Sequence, residues 1–98
     1  MPTYESLAAF QRQWDKLDSH QRAAFKRALA VFIASLKAGG KFSPELRVHK
    51  LVNTEIWSLT WASDGRALFR YGQSIVDGEP HIVWEAIGTH AEVYDVKR

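Results

Sequence analysis

A change of composition at Gly39-Gly40 divides the 98-residue chain into two parts with opposite backbone preferences. Before it the chain is rich in Ala, Leu, Gln, Lys and Arg, residues that lose little side-chain freedom in a helix. After it come Val, Ile, Thr, Trp, Tyr and Phe, which pack well on a pleated surface. A chain of this length is expected to form a single domain, residues 1–98. It can bury roughly 60–65% of the surface exposed when unfolded, so the two parts must share one modest core. The expected class is therefore α+β.

The first part reads as a helical hairpin. Leu7, Phe10, Trp14 and Leu17 recur at helical spacing and form one apolar stripe, with Thr3 as the expected N-cap. Asp18-Ser19 interrupts the pattern and supplies a cap for a second helix. Ala24, Phe25, Ala28, Leu29, Phe32 and Leu36 then repeat helically, and Gly39 is placed to end the run. Arg12, Lys16, Arg22, Lys26, Arg27 and Lys37 lie mostly off the stripe and read as a solvated face.

The second part reads as an antiparallel sheet of about four strands. Ile56–Ala62 alternates, with Trp57, Leu59 and Trp61 on one side, and Ser63-Asp64-Gly65 is a hairpin signal. Arg66–Tyr71 is the return strand, with Arg66, Leu68 and Arg70 of one parity and Ala67, Phe69 and Tyr71 of the other. A polar loop, Gly72–Pro80, leads to His81–Ile87, apolar enough for a central strand. Leu46–Val52 is expected to be a further strand preceding these. Trp57, Trp61 and Trp84 are expected in the core, since a small domain needs large apolar side chains.

Several function classes are excluded or disfavoured. There is no cysteine, hence no disulfide framework, thiolate metal site or cysteine nucleophile. His20, His49, His81 and His90 have no metal-ligand spacing, so neither a metal nor a cofactor is expected. Gly39-Gly40-Lys41 lacks the spacing of a phosphate loop. The apolar run Ala28–Leu36 is too short to span a bilayer, and Met1–Glu5 has no signal-peptide pattern; a cytoplasmic protein with no membrane association is expected. The net charge of +2 splits into +3 for residues 1–45 and −1 for residues 46–98. That leaves room for a small basic cleft but not for a large phosphate-binding face.

A polar set remains in the sheet part: Glu45, Arg47, His49, Arg66, Arg70, His90 and Tyr94. Arg66 and Arg70 share strand parity and are expected to project into one cleft; His90 and Tyr94, four residues apart, share a face in either secondary structure. A carboxylate, a histidine and arginines suffice to cleave RNA without a metal. A base removes the 2′-hydroxyl proton, the hydroxyl attacks the adjacent phosphate, an acid protonates the departing 5′-oxygen, and arginine stabilises the added negative charge. Histidine suits acid–base work because its unperturbed pKa, about 6.5, lies near the working pH. Taken alone, these residues define a soluble α+β domain with its function open.

The order of motifs resembles the RelE/ParE superfamily of toxin–antitoxin toxins, including its YoeB-like branch. The resemblance rests on Pro44-Glu45-Leu46-Arg47-Val48-His49-Lys50-Leu51, Ile56-Trp57-Ser58, Asp64-Gly65-Arg66-Ala67-Leu68-Phe69-Arg70-Tyr71 and Ile82-Val83-Trp84-Glu85-Ala86-Ile87-Gly88-Thr89-His90. It covers about residues 5–94. It implies a helical hairpin on a small antiparallel sheet. It further implies Glu45 as general base, Arg66 as phosphate stabiliser and His90 as general acid, with Arg47, Arg70 and Tyr94 contacting RNA. The implied activity is metal-independent cleavage of mRNA at the ribosome, silenced by a cognate antitoxin. Three departures accompany it: Ala91 rather than Tyr follows His90, leaving Tyr94 as the nearest substitute; residues 1–3 are too short for the family's N-terminal edge strand; and the sheet part is slightly acidic where ribosome-binding relatives are usually basic. A ParE-like gyrase inhibitor and a non-catalytic binding module are the competing readings on the same fold.

Overall fold

The computed structural model describes residues 2–94. Its elements in chain order are β1 (Thr3–Ser6), α1 (Ala8–Asp15), α2 (Ser19–Lys37), a 3-10 turn at Pro44–Leu46, β2 (His49–Lys50), β3 (Trp57–Thr60), β4 (Gly65–Gly72), β5 (His81–Thr89) and α3 (His90–Tyr94). The expected order of helices and strands holds, with two additions at the ends.

Asp18 starts α2 as anticipated. Its carboxylate accepts from the Gln21 backbone N–H at 2.8 Å while the Gln21 side chain accepts from the Asp18 N–H at 2.9 Å, satisfying two orphan donors reciprocally. The helix ends at Gly39 (φ 101°): its N–H donates to Leu36 O and the Gly40 N–H to Ser35 O, a left-handed closure that favours glycine. Between the helices, Arg22 closes the corner. It donates to the carbonyls of Trp14 and Asp15, and its guanidinium lies 5.6 Å from the Trp14 ring centre.

The sheet has five strands in the order β1-β5-β4-β3-β2, and it is mixed rather than antiparallel. β1, absent from the sequence reading, pairs parallel to β5 from Thr3↔His81 to Ser6↔Trp84. Thr3 is therefore a strand residue, and Leu7 occupies the N-cap position of α1 without a side-chain cap. The strand is fixed by His81, which is only 4% exposed: one ring nitrogen bonds Thr3 Oγ1 at 2.7 Å and the other Glu5 Oε1 at 2.8 Å. The expected strand Leu46–Val52 shrinks to His49–Lys50. Pro44 fits the first position of the 3-10 turn, Arg47 takes φ 47°, and Asn53 takes φ 60°, so extended backbone survives only between two left-handed residues.

Strand alternation sends one side of the sheet against α1 and α2. Phe10, Phe25 and Phe32 surround Trp84, with ring centres 5.5–5.9 Å apart, and Phe69, Leu59, Ala67, Ile82 and Ile87 complete the core. Aromatic pairs of this kind contribute about 0.5–1.5 kcal/mol each beyond their area. In β5 the pair Leu68↔Ala86 is followed by Phe69↔Trp84, leaving Glu85 unopposed. This bulge shifts the phase, so Ile82, Trp84 and Ile87 all reach the helices although Ile87 has the opposite parity. The other side carries a second small cluster: Leu68 and Ala86 beneath Val93 of α3, flanked by Leu51, Ile56 and Tyr94.

Candidate functional site

The β3–β4 turn organises the polar set. Gly65 lies so close to the Trp61 indole that a Cβ would stand 2.6 Å from its ring, and the Trp61 backbone N–H donates to Gly65 O at 3.1 Å. Arg66 follows and folds back on the turn. Its Nη1 donates to Gly65 O at 2.9 Å and Ala62 O at 3.2 Å, which leaves Nε and Nη2 without a partner among the described residues. The His90 backbone N–H donates to Asp64 O at 2.8 Å, and Arg66 pairs with Gly88 in the β4–β5 ladder. The backbone of His90 is thus anchored to the turn around which the Arg66 guanidinium is wrapped.

On one side of this turn lies a cleft of about 590 Å3 between α2, the Pro44–Arg47 segment and β3–β4. Glu45, Arg47 and Arg66 line it, and so does Arg27 of α2. The cleft therefore holds three guanidiniums and one carboxylate. Glu45 is exposed, and its Oε1 accepts from Ser43 Oγ at 3.0 Å. Among the described residues no Arg–carboxylate ion pair forms within the cleft. Arg47 holds its place in left-handed backbone, which costs a non-glycine residue about 1–2 kcal/mol.

His90 and Tyr94 lie together on the other side, over the sheet face that α3 covers. Their ring centres are 4.5 Å apart, and the Tyr94 hydroxyl is hydrogen-bonded to Ser58 Oγ, which is fully buried. His49 pairs with Ser58 in the ladder, so it lies on the same face, with Nδ1 2.9 Å from Arg47 O. α3 itself is held by a reciprocal cap: the Glu92 N–H donates to Thr89 Oγ1 at 3.2 Å and the Thr89 N–H to Glu92 Oε1 at 2.8 Å. Gly88 makes room for this turn, since a Cβ there would meet the Glu92 carboxylate at 2.6 Å.

The structure thus brings Glu45, Arg47 and Arg66 into one cleft, and His90 and Tyr94 into contact across the same turn. Arg70 is not with them. It bonds Glu85 at 2.6 Å and borders a separate depression with Glu5 and His81, so the shared cleft expected for Arg66 and Arg70 does not form. The reason is reach: residues four apart along a strand are separated by about 13 Å. Sequence reading passed over Arg27, grouped with the solvated helix residues, and Trp61, assigned only to the core. Among the described residues no group of three or more His, Cys, Asp or Glu side chains is placed to hold a metal ion.

This arrangement, a helical hairpin over a mixed sheet in the order β1-β5-β4-β3-β2 with a late helix on the opposite face, is the fold of RelE-type toxins. Similar solved structures include YafQ from E. coli strain BL21(DE3), at TM-score 0.65 and 12% identity over 96% of this chain and 99% of that one. The E. coli DinJ-YafQ toxin–antitoxin complex gives TM-score 0.65 and 14% identity, with 95% and 97% covered. The RelB-RelE antitoxin–toxin complex from Methanococcus jannaschii gives 0.60 and 13%, with 92% and 94% covered. No protein-family model matches the chain, and no curated protein matches it by sequence. The resemblance read from the motifs holds at the level of fold.

Proposed function

We propose that the protein is the toxin of a toxin–antitoxin pair and a metal-independent endoribonuclease that cuts mRNA at the ribosome, in the cytoplasm. The observation that carries this reading is the β3–β4 turn, around which Arg66 is wrapped, to which the His90 backbone is anchored, and beside which Glu45 lines the cleft. Glu45 takes the 2′-hydroxyl proton, Arg66 offers its free Nε and Nη2 to the phosphate oxygens, and His90 protonates the departing 5′-oxygen. Tyr94, clamped by Ser58, sets the plane against which the His90 ring rests. Arg47 holds a neighbouring phosphate. Arg70, paired with Glu85, supplies charge only at the sheet's far end.

A cognate antitoxin is the partner. Support comes from the toxins of similar fold that are complexed with DinJ and RelB, and from the surface itself. A groove of about 430 Å3, with Trp14, Leu29, Ile33 and Leu36 in its walls, runs between β1 and the helices, and β1 and β2 are open sheet edges. A non-catalytic binding module is the second reading. It is favoured by one observation, that Glu45 and His90 border different surfaces.

Induced expression in bacteria, with and without the neighbouring open reading frame, separates the readings. Growth arrest by wild type, relieved by the neighbour and lost in His90→Ala, is the expected result. Arrest by both forms with intact mRNA points to gyrase, and absence of arrest from soluble protein points to the binding module.

A further inference from the structure

The cleft has one wall that the proposed reaction does not use. Arg27, on α2, enters it between Ala24 and Val31. The small side chains of Ala24 and Ala28 line it beside Arg27. Arg27 and Arg47 have no carboxylate partner among the described residues. Trp61, beside the β3–β4 turn, lines the cleft from the sheet side, and its buried Nε1 is the only side-chain nitrogen or oxygen of that kind without a hydrogen-bond partner among the described residues. That indole is 9% exposed and is pinned from behind by Gly65. Three guanidiniums lining one cleft, none of them with a carboxylate partner among the described residues, call for a ligand that is anionic, oxygen-bearing and able to face more than one of them, which describes a phosphodiester group better than a single carboxylate.

We infer that Arg27, with Arg47, binds a backbone phosphate of single-stranded RNA next to the one being cleaved, with the Trp61 ring in the cleft lining as a reporter of its occupancy. The inference rests on the ribonuclease reading. It makes Arg27 a substrate-binding residue on the helical hairpin, a part of the fold to which the proposed chemistry assigns no role.

The test uses the full chain and a 2′-O-methyl RNA hexamer, which binds but cannot be cut. Its affinity is measured from 50 to 300 mM salt for wild type, Arg27→Gln, Arg27→Lys and Lys26→Gln. Each phosphate contact contributes about 0.7 to the slope of log affinity against log salt for single strands. Arg27→Gln is expected to lower the slope by about 0.7, Arg27→Lys to restore most of it, and Lys26→Gln, outside the cleft, to leave it unchanged. In a 15N spectrum the Trp61 indole cross-peak, assigned with Trp61→Phe, is expected to move on adding hexamer to wild type. Equal slopes in wild type and Arg27→Gln, or an indole peak that does not move, overturn the inference. Loss of affinity for a glutamate-rich peptide, but not for the hexamer, in Arg27→Gln reassigns the cleft to an acidic protein segment and also overturns it. Cleavage of unmodified RNA by the same variants is read separately. If the slope changes as expected while wild type cuts nothing, the phosphate site stands and the nuclease reading fails.

Discussion

Gly65 shows how a single position couples the core to the site. Its missing side chain lets the β3–β4 turn lie on the Trp61 ring, and the same turn receives the Arg66 guanidinium and the His90 N–H. Gly65→Ala places a methyl 2.6 Å from ring carbons that are packed against Phe25. The ring cannot retreat without disturbing the core, so a loss of about 1–3 kcal/mol is expected. Chemical denaturation checks this, and a change below about 0.5 kcal/mol would show that the indole moves freely. Glu45, Arg66 and His90 stand out in the sequence by their chemistry and order, but the surface each one faces does not, because Arg47 and Asn53 leave the extended region and redirect the segment carrying Glu45. Arg27 was illegible for another reason. Its off-stripe position is shared by every solvated basic residue of α2, and only the recess opposite it distinguishes it.

At the scale of elements, the two helices were read nearly whole because their periodicity is long and their ends carry specific chemistry. The Asp18 capping box is a clear case, and Asp18→Ala is expected to cost about 0.5–2 kcal/mol, measured by urea denaturation. An unchanged midpoint would mean that α2 is held by packing alone. The elements missed were short. β1 has four residues, half of them exposed, and owes its existence to the parallel ladder with β5 and the buried His81, which no local pattern announces. By contrast, α3 did have a local signal: Thr89-His90-Ala91-Glu92 is a capping-box sequence, masked by the loop-like Gly88-Thr89 before it. The bulge at Glu85 escaped because it changes phase inside an almost uniformly apolar strand, where alternation carries little information.

For the whole molecule, the sheet separates two functions of the same scaffold. One face is committed to the hairpin and its aromatic core, while the other is covered by α3 and, with the corner at the β3–β4 turn, presents His49 and α3's own His90 and Tyr94. The composition break at Gly39-Gly40 foretold the first division; the strand order that assembles the corner arises from long-range pairing and lies beyond local reading. The proposed function requires that this corner cut RNA by internal attack of the 2′-hydroxyl. The most direct measurement incubates the purified protein with ribosomes carrying a defined mRNA and identifies the chemical ends of the products, for wild type, Glu45→Gln and His90→Ala. Wild type is expected to leave a 2′,3′-cyclic phosphate and a 5′-hydroxyl, and to fail when the nucleotide at the cut is 2′-deoxy. Each substitution is expected to slow cleavage by about 100-fold or more, with no loss of fold, since both side chains are exposed. A 3′-hydroxyl with a 5′-phosphate, cutting that survives the 2′-deoxy substitution, or equal rates in all three proteins would contradict it.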